Sequence, residues 1–122
     1  MLLLADVSSS AMAEWVQVGV VDDGSITFYA NPSTIRKDGE LVKMREMQNY
    51  LTPKGGQDFL SVKGRYEYDC MSENARTLFV SLYSGNMGSG DVIEMKSFHD
   101  EWTPVVPDTM FETNWKYACG KK

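Results

Sequence analysis

Leu60-Ser61-Val62-Lys63-Gly64-Arg65-Tyr66-Glu67-Tyr68-Asp69-Cys70 is the stretch whose pattern decides the fold. Leu60, Val62, Gly64, Tyr66, Tyr68 and Cys70 fall on one side of an extended chain. Ser61, Lys63, Arg65, Glu67 and Asp69 fall on the other. Period two marks a β-strand with one face covered and one face wet, the common arrangement in antiparallel sheets. Cys70 lies on the covered face. The chain has 2 cysteines, and the second, Cys119, closes a segment of helical periodicity. A bond between them would clamp that helix onto a chosen face of the sheet. For a closed loop of roughly 50 residues, chain entropy gives about 4 kcal/mol, chiefly by restricting the unfolded state. Such bonds persist outside reducing compartments, so the pair also predicts export.

The segment ending at Cys119 begins after Pro104 and Pro107. Thr109 and Glu112 have capping-box spacing, with Thr109 placed to accept from the backbone and Glu112 to reach back. Phe111, Trp115, Ala118 and Cys119 recur along one stripe. Gly120 supplies a helix stop, and Lys121-Lys122 sit near the negative dipole end. Trp115 is expected to be buried against Tyr66, Tyr68 and Cys70.

Working outward, residues 15–21 and 25–30 read as a hairpin around Asp22-Asp23-Gly24. Asn31-Pro32-Ser33-Thr34-Ile35 suits a short helical turn, ended by Lys37-Asp38-Gly39. Residues 41–51 form a strand of broken alternation: Val42 and Met44 share a face while Met47 and Leu51 take the other, as at a bulge or edge. A loop at residues 52–56 follows. Residues 76–83 and 91–98 form a further hairpin across a flexible tip at residues 84–90. The fold class is therefore α+β: an antiparallel β-sheet of about six strands, with a C-terminal helix packed on one face and tied by a Cys70–Cys119 disulfide.

Residues 1–13 read as a residual signal-peptide segment, expected to be disordered. Leu2-Leu3-Leu4-Ala5 and Ser8-Ser9-Ser10 lead to Ala11-Met12-Ala13, a small-x-small cleavage signature. Glu14 follows rather than Cys, so that cut gives no lipid anchor. Residues 14–122 then form a single domain of about 109 residues. No other apolar run nears the roughly 20 residues of a membrane span. A net charge of −5 argues against a nucleic-acid surface.

Candidate sites are few. His99, beside Asp100 and Glu101, could be a metal ligand or general base, but both cysteines are committed elsewhere and no nucleophile motif accompanies it. It reads as a solvated residue at a strand end. Gly85-Asn86-Met87-Gly88-Ser89-Gly90 lacks the spacing and following helix of a phosphate cradle. Asp22-Asp23 and Glu67/Asp69 read as surface carboxylates rather than an acid–base pair. Trp15 and Trp102 read as packing residues. Met44, Met47, Met87 and Met95 suit core filling or an adaptable contact surface. Tyr66, Tyr68, Phe111 and Trp115 form a face that either packs as core or lines a ligand cavity between helix and sheet. No catalytic residue, metal site or cofactor is expected.

Taken in order, several segments resemble the bacterial surface-adhesin protein E family. They are Trp15-Val16, residues 29–39 (YANPSTIRKDG), Ser61-Val62-Lys63, residues 66–70 (YEYDC), residues 83–90 (YSGNMGSG), residues 102–107 (WTPVVP) and residues 115–119 (WKYAC). The resemblance implies an antiparallel sheet with a disulfide-tied C-terminal helix, and the two cysteines are the residues carried over. It implies a secreted, periplasmic or outer-membrane-associated, non-enzymatic binding module, with a host matrix or cell-envelope protein as partner and a capacity to form homodimers. The other reading is a carrier for a small apolar ligand, held between helix and sheet.

Overall fold

Six strands follow one another across a single antiparallel sheet in the computed structural model, which describes residues 14–53, 58–99 and 101–121. They are β1 (Val16–Val21), β2 (Ile26–Asp38), β3 (Leu41–Tyr50), β4 (Ser61–Asp69), β5 (Asn74–Tyr83) and β6 (Val92–Ser97). A two-residue strand, β7 (Thr103–Pro104), pairs with β5 at Asn74 and Ala75, beside the part of β5 that β6 leaves free. The helix α1 (Met110–Cys119) covers one face. The expected leader at residues 1–13, most of the loop after Pro53, Asp100 and Lys122 lie outside the described residues.

Pairing carries the face of each residue across the sheet. Val42 aligns with Tyr68, and Tyr68 with Ala75; Met44 aligns with Tyr66, and Glu46 with Gly64. Onto this face α1 lowers Trp115 and Ala118, closing a core with Ala30, Val42, Met44 and Tyr68. Burying each large apolar side chain contributes about 1.5–3 kcal/mol. Cys70 and Cys119 are bonded, and the indole Nε1 of Trp115 donates to the Asp69 carbonyl at 2.9 Å. Gly19 lets the helix approach β1, because a Cβ there would sit 2.5 Å from the Met110 sulfur.

The helix ends as its sequence requires. Gly120 adopts φ 71°, and Lys121 N–H reaches the Lys116 carbonyl at 2.8 Å while Gly120 N–H reaches Tyr117. This paired closure satisfies carbonyls left over at the last turn. The start differs from the expected capping box. Thr109 Oγ1 donates to the Val106 carbonyl, and Glu112 Oε1 accepts from Asp108 N–H, one residue before the cap. The stripe also differs. Its buried members are Asn114, Trp115 and Ala118, whereas Phe111 is 63 % exposed.

Further expectations are corrected. Residues 31–35 form no helical turn; β2 runs through them, with a register shift between Asn31 and Arg36. Thr34 Oγ1 accepts from Arg45 N–H at 2.9 Å and donates to the Asn31 carbonyl at 2.7 Å, so a side chain supplies the missing ladder contact. This shift and others in β1–β2, β4–β5 and β5–β6 curl the sheet.

The second face of β4 is not uniformly wet either. Ser61 and Glu67 are buried there, as are Met47 of β3 and Ser81 of β5. The 84–90 loop folds back over part of this face. Ser61 Oγ donates to the Gly85 carbonyl and accepts from Gly88 N–H, while Asn49 Oδ1 accepts from Met87 N–H at 2.7 Å. Anchoring on two strands replaces the expected flexible tip. It also accounts for the broken alternation of β3, which is an interior strand covered on both sides, not an edge.

Candidate functional site

Alternation along β3 puts Glu46 in phase with Val42 and Met44, and so beneath the helix. It lies in register with Ala30 on one side and Gly64 on the other. The residue is 7 % exposed. The Tyr68 hydroxyl donates to Glu46 Oε2, and Asn114 Nδ2 donates to Oε1 at 3.0 Å. Burial disfavours the charged form and pushes the Glu46 pKa up to about 8, with the Tyr68 hydrogen bond pulling the other way. Burial, reinforced by the Glu46 charge, also raises both the Tyr66 and Tyr68 hydroxyls, so the two phenols stay protonated.

Above this carboxyl lies a cavity of about 520 Å³ between the sheet and the first turns of α1. Its buried end is formed by Glu46, Tyr68 and Asn114, and its walls include Phe28, Tyr66 and Met110. Phe111, Glu101 and Thr103, all exposed, stand at the mouth. Gly64 shapes the wall by absence: the Tyr66 ring crosses it so closely that a Cβ would meet the ring carbons at 2.6 Å. The size is that of a small-molecule site, which typically spans about 300–1,000 Å³. One polar atom in it is unmatched. Asn114 Oδ1 is buried and has no hydrogen-bond partner, a state rare enough in folded proteins to need an explanation.

The structure divides the aromatic face proposed from sequence. Tyr66, Tyr68 and Phe111 line the cavity, whereas Trp115 is 5 % exposed in the core and is not among the lining residues. Glu46 and Asn114 are absent from that face, although each carried a signal. Glu46 is two residues beyond Met44 on an apolar phase, and Asn114 sits immediately before Trp115 within the helix. Polar residues at core phases mark a network or a site.

The remaining candidates disperse. Glu67 is no surface carboxylate: at 5 % exposure, its Oε1 accepts from Arg76 Nη2 at 2.7 Å and Nε at 2.9 Å. The Arg76 guanidinium in turn lies 4.5 Å from the Trp102 ring centre. A hydrogen bond from the Ser72 side chain lowers the Asp69 pKa, helped by the Ser72 and Met71 N–H groups that Oδ1 accepts and that tie the β4–β5 turn. Trp15 and Tyr83 flank the Lys63 ammonium. His99 is exposed, as are Asp22 and Asp23 in their tight turn. Met44 and Met47 are buried, Met87 lies in the folded-back loop, and Met95 is 63 % exposed. Among the described residues, no group of three or more His, Cys, Asp or Glu side chains is placed to hold a metal ion. No described helix is long and apolar enough to cross a membrane.

The sequence profile described as "Surface-adhesin protein E" matches residues 15–120. Three solved structures of Haemophilus influenzae protein E share the fold. The selenomethionine form aligns with TM-score 0.61 at 15 % identity, covering 88 % of this chain and 87 % of that one. Crystal form II gives 0.60 at 16 %, covering 85 % and 87 %. Protein E from a non-typeable strain gives 0.57 at 13 %, covering 88 % and 76 %. No curated protein matches the chain.

Proposed function

The chain belongs to the surface-adhesin protein E family, and from that membership we propose that it is an exported, non-enzymatic module that binds proteins of the host matrix or cell envelope. The family match over residues 15–120 is the observation that carries this reading. A disulfide-tied helix suits an oxidising location, the periplasm, outer surface or exterior. The contact surface we assign is the outer strand β6, whose six residues are all exposed. Val92, Ile93 and Met95 are 50 %, 43 % and 63 % exposed, and an edge strand can extend its ladder into a partner. A second copy of the chain could pair there as well, giving the homodimer.

Immobilised matrix-protein and envelope-protein fractions, titrated with the oxidised chain, test this. Saturable binding that falls at least about tenfold in Ile93→Glu is expected, since a charge on the pairing edge opposes strand addition. Absence of saturable binding to both fractions would overturn the reading. Sedimentation of the same two proteins reports whether β6 also supports self-association.

A further inference from the structure

We propose that the cavity beneath α1 binds a small apolar molecule ending in a primary amine, with Glu46 and Asn114 receiving the ammonium group. The cavity combines an aromatic and aliphatic wall with one polar end. At that end the protein already supplies two donors, the Tyr68 hydroxyl and Asn114 Nδ2, both directed to Glu46. Once the Glu46 carboxyl gives up its proton, what remains there is acceptor capacity: the spare lone pairs of the carboxylate and the unpartnered Asn114 Oδ1. No cation among the described residues pairs with Glu46; the ion pair at this end of the sheet is Arg76 with Glu67. A primary ammonium carries three N–H donors and no acceptor, and so matches this inventory. An alcohol supplies one donor and adds acceptor lone pairs. A carboxylate supplies only acceptors. The site selects on these grounds, beyond the apolar fit expected from the sequence.

The charge balance is explicit. Burial keeps the Glu46 carboxyl protonated over much of the neutral range, up to about pH 8. As the ammonium enters, the carboxyl proton leaves to solvent and the resulting carboxylate faces the cation. The other groups around Glu46 do not complicate this. Tyr66 and Tyr68 from β4 stay protonated, Tyr50 of β3 donates its hydroxyl to Gln48, Arg76 of β5 is held by Glu67, and α1 contributes Asn114, which does not titrate. Glu101 stands at the exposed mouth.

Calorimetric titration of the full oxidised chain with phenylbutylamine, phenylbutanol and phenylbutyrate tests the proposal. The amine is expected to bind at least about tenfold more tightly than the alcohol, a discrimination expected of hydrogen bonds to a charged group, and the carboxylate least. Amine affinity should rise with pH, by up to about tenfold per unit, and level off near pH 8. Repeating the titration at about pH 6.5 in buffers of different ionisation enthalpy should show release of nearly one proton per amine. Glu46→Gln should abolish both the proton release and the preference for the amine. If that variant fails to fold, the wild-type proton count decides alone. Equal affinity for amine and alcohol, no proton release, or no binding of any probe overturns the proposal. Strand β6 does not line the cavity, so Ile93→Glu should leave amine binding intact, and protein binding can fail without touching this result.

Discussion

Trp115 and Asp69 are joined by an indole-to-carbonyl hydrogen bond of 2.9 Å, one residue before the covalent tie of Cys70 to Cys119. The same carbonyl accepts from Glu73 N–H at 3.0 Å, so losing the indole does not leave it unsatisfied. Ring packing and hydrogen bonding at Trp115 can therefore be separated. Trp115→Ala should lose about 3–5 kcal/mol through the cavity it opens. Trp115→Phe should lose less. Urea denaturation of the oxidised proteins measures both, and a neutral Trp115→Ala would show that the helix face is not core.

Reduction of the Cys70–Cys119 bond should lower the urea stability by about 4 kcal/mol, the loop-entropy value for a 49-residue separation. Intact-mass measurement after alkylation without reductant should find no labelled thiol in the folded protein. Two labelled thiols would contradict the bond.

Glu46 makes a signed pH prediction. Its pKa is about 8 when folded and ordinarily 4.5, so the native state binds more protons than the unfolded chain between those values. Stability is then full at the acidic end of the window, falls as pH rises, and levels off above about pH 8. The slope approaches roughly 1.4 kcal/mol per pH unit at its steepest. Glu46→Gln keeps a neutral hydrogen-bonding side chain and should flatten the profile. An unchanged slope in the variant would place the titration elsewhere.

Arg76→Met removes the partner of a buried carboxylate. The expected loss is below the about 3–5 kcal/mol typical of a fully buried pair. Water reaches Arg76, and Lys43 faces Glu67 from the neighbouring strand. In the Glu67→Gln/Arg76→Met double variant part of the loss should return. Additive losses in the double-mutant cycle would mean that the pair does not act as one.

His99→Ala should change stability by no more than about 0.5 kcal/mol, because the residue is exposed and outside the core. A larger loss in urea would reveal a role for its ring that the exposed position does not suggest.

The helix and its covalent partner strand were legible because both speak in local periods: Tyr66, Tyr68 and Cys70 at spacing two, and Trp115 with Ala118 at helical spacing. Long-range substitutions for local rules were not. At Thr34 a hydroxyl replaces a ladder contact, and nothing in the tripeptide around it announces that Arg45 will supply the donor. The Gly-rich loop looks free until Asn49 and Ser61 hold it. Phe111 had the better hydrophobicity for the buried stripe, yet Asn114 occupies it, because Glu46 lies opposite and needs a donor. A cavity between helix and sheet follows from the aromatic face, but its polar end rests on Glu46 and Asn114, whose only local signal is a polar residue at a core phase.

The sequence-ordered sheet has a consequence for how the molecule assembles. Each main strand after β1 hydrogen-bonds to its immediate predecessor, so the ladder is built of hairpins with short loop closures. The helix is the exception, since it must return to β4, and its cysteine lies 49 residues from its partner. Docking of α1 is therefore the non-local part of assembly, and it is what takes Tyr68, Met44 and Glu46 out of water.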